Sequence, residues 1–174
     1  MNISHWPEFN KEQVDAVTNI LKKGAVKGNS VETRLFEKEF AKYIAAKKAI
    51  AIANGSLALS CAYLSIGLGR GDEVITTPRT FIATASSLVL LGAIPIFADV
   101  ERDSGNICPK SIEKLINKKT KAIVVVHLAG WPANMTAIAY LAKKYKLNIV
   151  EDCAQAHGAG IYENGNFKKV GSFG

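Results

Sequence analysis

The sequence has 174 residues, of which 48% are hydrophobic and 21% are charged. This length is enough for one domain with a sizeable core. The composition is that of an ordinary soluble globular protein and excludes a largely disordered chain. The longest apolar stretch, 88–97, contains Gly92 and Pro95 and is too short to span a bilayer. We therefore expect no membrane segment.

The formal net charge of +7 does not indicate a nucleic-acid-binding protein. The lysines occur as scattered pairs without a basic run or interleaved aromatic residues, which favours a solvated surface. The first residues lack a basic region followed by an apolar core, so we expect no signal peptide and a cytoplasmic location. Cys61, Cys108 and Cys153 are widely spaced and odd in number. This pattern predicts reduced thiols and no metal site.

Two amphipathic helices are predicted at the start of the chain. The first follows Asn10, which is a suitable N-cap, and ends at Gly24; the second covers 32–44, after a loop at 24–30. From residue 49 onward, short apolar strands alternate with helices. Strands are predicted at 49–53, 73–77, 94–98, 122–126 and 148–150, and helices at 56–67, 81–91, 111–116 and 133–145.

Strands that are apolar throughout and separated by helices predict an α/β fold with a mostly parallel sheet covered by helices on both faces. After Tyr162 we expect a β-turn at Asn164-Gly165 and a glycine-rich end. The segment 67–72 is rich in glycine, but it follows a helix and leads into a strand. This order excludes a dinucleotide-binding loop and favours a helix C-cap with a turn.

A carboxylate ends the last predicted strand, where Asp152 follows an apolar run and precedes small and polar residues. In an alternating α/β protein this is the position where a buried strand leaves the sheet beside a ligand crevice. A carboxylate there is costly without a cation. One suitable partner is the protonated ring nitrogen of pyridoxal phosphate. The alternative is that Asp152 only caps the next turn.

Three further positions lie at predicted strand ends. Gly55 and Ser56 open a helix directly after a strand, where backbone N–H groups and a hydroxyl form a phosphate cradle or only a capped turn. Phe81, at the start of another helix, either stacks on a planar ring or belongs to the core. His127 ends the strand 122–126 and is either a site residue or a structural histidine, whereas His157 is expected to be structural.

Six segments together resemble one family, in its order and over essentially the whole chain. They are 36–43 (FEKEFAKY), 54–59 (NGSLAL), 71–76 (GDEVIT), 80–84 (TFIAT), 126–130 (VHLAG) and 151–159 (EDCAQAHGA). The chain resembles the N-terminal part of the DegT/StrS-type sugar aminotransferases, a branch of the fold-type I pyridoxal phosphate enzymes. The resemblance implies an N-terminal helix with a substrate-side loop at 1–30 and an incomplete cofactor-binding large domain at 31–174, without the small C-terminal domain.

The resemblance also assigns roles to residues. Gly55 and Ser56 would hold the cofactor phosphate, Phe81 would stack on the pyridine ring, Asp152 would pair with the ring nitrogen and Gln155 would bind the phenolic oxygen. His127 and Trp131 would lie on the substrate side, although many members carry Gln at the position of Trp131. The Schiff-base lysine is expected beyond Gly174, so no catalytic residue is assigned within the chain and the chain alone is expected to be inactive.

The activity implied by the resemblance is transfer of an amino group, usually from glutamate, to a nucleotide-linked keto sugar in polysaccharide or amino-sugar biosynthesis. The complete enzyme would be a homodimer. One alternative is a pyridoxal phosphate-dependent sugar dehydratase of the same fold, in which His replaces the lysine; Gln155 favours the aminotransferase. The other alternative is an inactive module that binds a ligand without turnover.

Overall fold

The computed structural model describes residues 7–24, 30–163 and 165–174. Residues 25–29 of the predicted loop and Asn164 of the predicted turn lie outside this range. The helices are α1 (Lys11–Lys22), α2 (Val31–Ile44), α3 (Gly55–Ser65), α4 (Ala83–Leu90), α5 (Pro109–Leu115) and α6 (Met135–Tyr145). The strands are β1 (Glu73–Thr76), β2 (Ile94–Phe97), β3 (Thr120–Val126), β4 (Asn148–Asp152), β5 (Gly160–Glu163) and β6 (Asn166–Lys169), and a 3₁₀ turn covers Leu128–Gly130.

The central sheet has four strands in the order β2-β1-β3-β4, and all three pairings are parallel. β3 lies inside the sheet, and its residues 122–126 are buried. Because parallel strands are joined by crossover helices, their carboxyl ends meet at one edge of the sheet. The α/β fold with a mostly parallel sheet is confirmed.

Alternate residues of β3 belong to two separate cores. Ile123 and Val125 pack on one face of the sheet with residues of α5 and α6, such as Ile138. Val124 packs on the other face with Tyr63 of α3 and Leu88 of α4. The period-two alternation of a strand thus explains why every residue of this apolar run is buried, and helices cover both faces as predicted.

Side-chain caps fix where several helices begin. Asn10 forms a capping box with Gln13 at the start of α1. Ser30, Asn54 and Asn134 accept hydrogen bonds from backbone N–H groups in the first turns of α2, α3 and α6. These caps satisfy donors that the helix itself leaves without partners. The cap at Asn54 matters most for the site, because it fixes the N-terminus of α3.

The predicted strand at 49–53 is wrong. This segment has no regular secondary structure, no described strand pairs with it, and the side chain of Ile50 is 76% exposed. The backbone N–H of Ala51 donates instead to Oε1 of Glu37 on α2, at 2.8 Å. Since a strand is defined by its backbone ladder, an apolar run without a neighbouring strand remains irregular.

The C-terminal part contains more strand than the sequence predicts. β4 continues through Glu151 and Asp152, because both residues pair with the end of β3. β5 and β6 form an antiparallel hairpin where only a turn is predicted. The division of the chain at residue 30 stays a prediction. Within the described residues, no helix is both long and apolar enough to cross a membrane.

Two leucines of α4 provide a test of this packing. Leu88 is fully buried and Leu90 is 82% exposed. We expect Leu88→Ala to lower the free energy of unfolding by about 2–5 kcal/mol, because truncation leaves a cavity in the core. Leu90→Ala on the same helix should change it by less than about 0.5 kcal/mol. Urea denaturation measures both, and equal effects of the two changes would contradict the assigned burial.

Candidate functional site

One cavity lies at the carboxyl edge of the sheet, between the ends of β3 and β4 and the N-terminus of α3. Its volume is about 390 Å³. Six of the seven residues predicted for the site line it; the seventh, Trp131, does not. The lining residues are Asn54, Gly55, Ser56, Leu59, Thr80, Phe81, Ala83, Val126, His127, Leu128, Asp152, Ala154 and Gln155.

The N-terminus of α3 forms one wall of this cavity. Asn54 takes up two donors of the first turn: its side chain accepts from the N–H of Leu57 at 3.0 Å, and its carbonyl oxygen accepts from Ala58. No described group accepts a hydrogen bond from the N–H of Gly55 or Ser56. A Cβ built on Gly55 would meet nothing within 4 Å, so the wall is open here. A helix N-terminus with available donors attracts an anion.

Asp152 lies on the opposite wall, at the end of β4. Its Oδ1 accepts from the N–H of Ala154 at 3.1 Å, which is the turn cap that the sequence left open as an alternative. Its Oδ2 accepts from the hydroxyl of Thr84 at 3.4 Å. The cap therefore uses one oxygen only, and the carboxylate keeps the capacity to accept from a cation in the cavity.

Thr84 belongs to a small polar network that the sequence analysis missed. Its hydroxyl is 2.9 Å from the hydroxyl of Thr80, and its carbonyl oxygen accepts from the buried hydroxyl of Tyr63 at 3.0 Å. Burial, together with the charge of Asp152, raises the pKa of Tyr63 well above its ordinary value. The two threonines are four residues apart, a spacing that places side chains together at a helix start. That spacing was the signal available in the sequence.

Gln155 is held by the turn that follows β3. Its Oε1 accepts from the N–H of Ala129 at 2.8 Å. The NH₂ group of Gln155 is therefore the part left to donate to a ligand. Ala129 has a φ of 52° and Gly130 a φ of 83°. The left-handed conformation of Ala129 is uncommon for a residue other than glycine, so the turn is locally strained.

The two aromatic candidates occupy different places. Phe81 lines the cavity and is 72% exposed, so it does not belong to the core. Trp131 is 66% exposed in a neighbouring cleft of about 690 Å³ that also contains Arg79 and Arg102. Its carbonyl oxygen accepts from the side chain of buried Asn106 at 2.9 Å. A substrate contact by Trp131 would therefore have to come from this cleft.

His127 is fully buried, and both nitrogens of its ring have partners. Nδ1 accepts from the N–H of Ala133 at 3.0 Å, and Nε2 lies 3.2 Å from Oε2 of Glu151. Because Nδ1 accepts, the proton is on Nε2, and the ring is neutral and donates to Glu151. These contacts are those of a structural histidine, and a substrate contact by His127 would have to replace one of them.

Glu151, which precedes Asp152 on β4, is a further residue of the site region that the sequence does not point to. Its side chain is 3% exposed. Oε1 accepts from the N–H groups of Phe173 and Gly174 at 2.7 and 3.0 Å, and Oε2 accepts from Gly171 at 2.9 Å as well as from His127. Burial alone would raise the pKa of Glu151, but the hydrogen bonds hold this pKa below its ordinary value.

His127, Glu151 and Cys153 place one ligand atom each within 4.8 Å of one another. A metal ion would require a deprotonated thiol and an available carboxylate. Burial, together with the charges of Glu151 and Asp152, raises the pKa of Cys153 to about 12. The imidazole and the carboxylate already hold hydrogen bonds. The chemistry of this cluster therefore does not favour a metal.

The groups that line the cavity fit a phosphorylated aromatic ring. The N-terminus of α3 matches a phosphate, Phe81 offers a ring face, and Asp152 and Gln155 offer an anionic acceptor and an amide donor. These are the groups that pyridoxal phosphate requires.

Comparisons with known proteins identify the family. The model of the DegT/DnrJ/EryC1/StrS aminotransferase family matches residues 7–174. The dTDP-3-amino-3,6-dideoxy-alpha-D-galactopyranose transaminase of Aneurinibacillus thermoaerophilus is 42% identical over 167 residues, which are 95% of this chain and 44% of that protein. The chain thus spans less than half the length of this curated relative.

Solved structures show the same similarity. An aminotransferase from Psychrobacter cryohalolentis superposes with a TM-score of 0.90 at 49% identity, covering 97% of this chain and 42% of the other. NtdA from Bacillus subtilis, solved with bound cofactor PMP, superposes with a TM-score of 0.80 at 32% identity, covering 86% of this chain and 35% of the other. The sequence match over residues 7–174 and the shared fold show that the chain belongs to the DegT/DnrJ/EryC1/StrS aminotransferase family.

Proposed function

We propose that this chain is the cofactor-binding part of a pyridoxal phosphate-dependent aminotransferase that acts on a nucleotide-linked keto sugar. The observation that carries the proposal is that the N-terminus of α3, Asp152, Gln155 and Phe81 line the same cavity. Family membership and the dTDP-aminosugar transaminase among the relatives support the substrate class. Amino-sugar or polysaccharide biosynthesis is the corresponding role.

The phosphate group is proposed to bind at the N-terminus of α3. The N–H groups of Gly55 and Ser56 and the hydroxyl of Ser56 are the donors there. The partial positive charge of the helix end supports a dianionic group at this point.

The ring is proposed to lie between Phe81 and the end of β4. When bound, pyridoxal phosphate carries the amino group and draws electrons into its pyridine ring. Asp152 keeps the ring nitrogen protonated by accepting a charge-assisted hydrogen bond, and the hydroxyl of Thr84 orients the Asp152 carboxylate. Gln155 donates its NH₂ group to the phenolic oxygen, because its carbonyl is already bound by Ala129. Phe81 covers one face of the ring.

The lysine that would hold the cofactor is not assigned to a residue of this chain. Among the described residues, none of those that line the cavity is a lysine. We propose that it belongs to the part of the relatives' length that this chain does not span. Glutamate as donor, the homodimer and the cytoplasmic location stay predictions. Substrate contacts by His127 and Trp131 also stay predictions.

Binding of pyridoxamine 5′-phosphate tests the ring site, because this form of the cofactor needs no lysine. We expect the chain to bind it, and Asp152→Asn to weaken the binding about ten- to a hundredfold. A hydrogen bond to a charged group contributes about 1.5–3 kcal/mol, and each 1.4 kcal/mol is about tenfold in affinity. A fluorescence titration measures the dissociation constants. Asp15→Asn on the exposed face of α1 is the control and should leave the affinity unchanged; equal affinities for all three proteins would exclude Asp152 from the site.

The phosphate site is tested by comparing pyridoxamine 5′-phosphate with pyridoxamine. Ser56→Ala should weaken binding of the phosphorylated ligand about tenfold or more, because it removes one hydrogen bond to a charged group, and should not change binding of pyridoxamine. Ser65→Ala at the other end of α3, where the hydroxyl donates to Ala62, is the matched control. If Ser56→Ala weakens both ligands equally, Ser56 does not contact the phosphate.

The absence of a lysine from the described cavity wall predicts the pattern of covalent labelling. When the chain is mixed with pyridoxal phosphate and reduced with borohydride, peptide mapping should show scattered adducts on surface lysines. A single stoichiometric adduct on one lysine would identify a cofactor-holding residue within the 174 residues and would overturn our placement of that residue elsewhere.

A further inference from the structure

Glu151 connects parts of the chain that are far apart in sequence. Its carboxylate sits at the end of β4 and accepts four hydrogen bonds at 2.7–3.2 Å. Three donors are backbone N–H groups of the segment 171–174, and the fourth is the ring of His127 at the end of β3. One buried side chain thus holds two backbone segments against the same strand end.

His127 extends this connection to the turn that carries Ala129. The imidazole begins the turn 127–133 in sequence and also accepts from the N–H of Ala133 at its other end. Glu151 fixes the ring through Nε2. Between these two ends, Ala129 is held in a left-handed conformation and donates to Gln155. The chain of contacts therefore runs from Glu151 through His127 to the amide of Gln155.

The chemistry requires a carboxylate rather than an amide at residue 151. Both oxygens accept from N–H groups, two donors to each oxygen. A glutamine would turn its NH₂ group toward two of these donors, which leaves buried N–H groups without acceptors. Because His127 is neutral, Glu151 and His127 do not form a charge pair. The negative charge is balanced by N–H dipoles alone, which suits a positioning role.

We propose that Glu151 is a positioning residue that acts through His127 to hold the turn 127–133 and thereby to aim the Gln155 amide into the cavity. The same carboxylate holds the segment 171–174, so that segment and the Gln155 side of the cavity move as one unit. Gln155 as a ligand of the cofactor rests on the proposed function. The linkage from Glu151 to Ala129 is independent of the proposed function, and an experiment without ligand tests it.

Amide hydrogen exchange measured by NMR tests the linkage without a ligand. In Glu151→Gln we expect exchange at Gly171, Phe173 and Gly174, and also at Ala133 and Ala129, to become about tenfold faster or more, since local opening exposes these N–H groups. Glu113→Gln is the matched control, because Glu113 is an exposed acid that accepts from Lys144 and Tyr145. It should leave all five rates unchanged. Faster exchange confined to 171–174 would overturn the proposal, because Glu151 would then act only locally.

A second variant keeps the test decisive if Glu151→Gln does not fold. His127→Phe retains a ring but removes both hydrogen bonds. It should accelerate exchange at Ala133 and Ala129, whereas Gly171 and Phe173 keep their acceptor and their rates. An unchanged rate at Ala129 in His127→Phe would overturn the proposal.

A double-mutant cycle with pyridoxamine 5′-phosphate tests whether the effect passes through Gln155. Glu151→Gln should weaken binding about tenfold in the otherwise unchanged chain and less than about twofold in a Gln155→Ala background, because residues that act through one contact are not additive. An equal loss in both backgrounds would overturn the role of Gln155. If the unchanged chain does not bind this ligand at all, the proposed function fails, while the exchange rates still decide whether Glu151 positions the turn.

Discussion

The parallel pairing of β3 with β4 determines on which face of the sheet Glu151 and Asp152 each lie. In this register Val125 lies opposite Glu151 and Val126 opposite Asp152. Successive side chains of a strand point to opposite faces, so Asp152 lies on the side of α3 and α4, and Glu151 lies on the side of α5 and α6. A shift of one residue would exchange the two acids.

The two neighbouring carboxylates are stabilised in different ways. Glu151 is nearly inaccessible to solvent and is surrounded by four N–H donors, so nothing is left for it to bind. Asp152 is half-buried, with one backbone donor and one hydroxyl. These two donors leave the Asp152 carboxylate able to bind a cation. Two adjacent acidic residues thus have different roles, because their surroundings differ: Glu151 is structural, and Asp152 is available to a ligand.

Much of this fold could be predicted from the sequence, because its signals are local. Apolar runs of strand length, helix periodicity and Asn caps identify most elements, and positions at strand ends point to Phe81 and Asp152. Gln155 is indicated only by the resemblance to the family, and Gly55 is predicted to follow a strand at 49–53 that the structure does not contain. The failures concern non-local contacts. The run at 49–53 has the composition of a strand, but strand formation depends on a partner that no local pattern reveals. The role of Glu151 depends on the segment 171–174, whose hydrogen bonds to it come from twenty or more residues away.

The exposure of Phe81 has a consequence for the heat of ligand binding. A ring that is 72% exposed at the mouth of a cavity is hydrated before any ligand arrives. A planar aromatic ligand that covers it removes apolar surface from water, and burial of such surface lowers the heat capacity. Contacts made only by polar groups at the N-terminus of α3 have no comparable effect. Calorimetry at several temperatures would therefore separate the aromatic part of recognition from the ionic part, with Phe81 as the main source of the negative heat-capacity change.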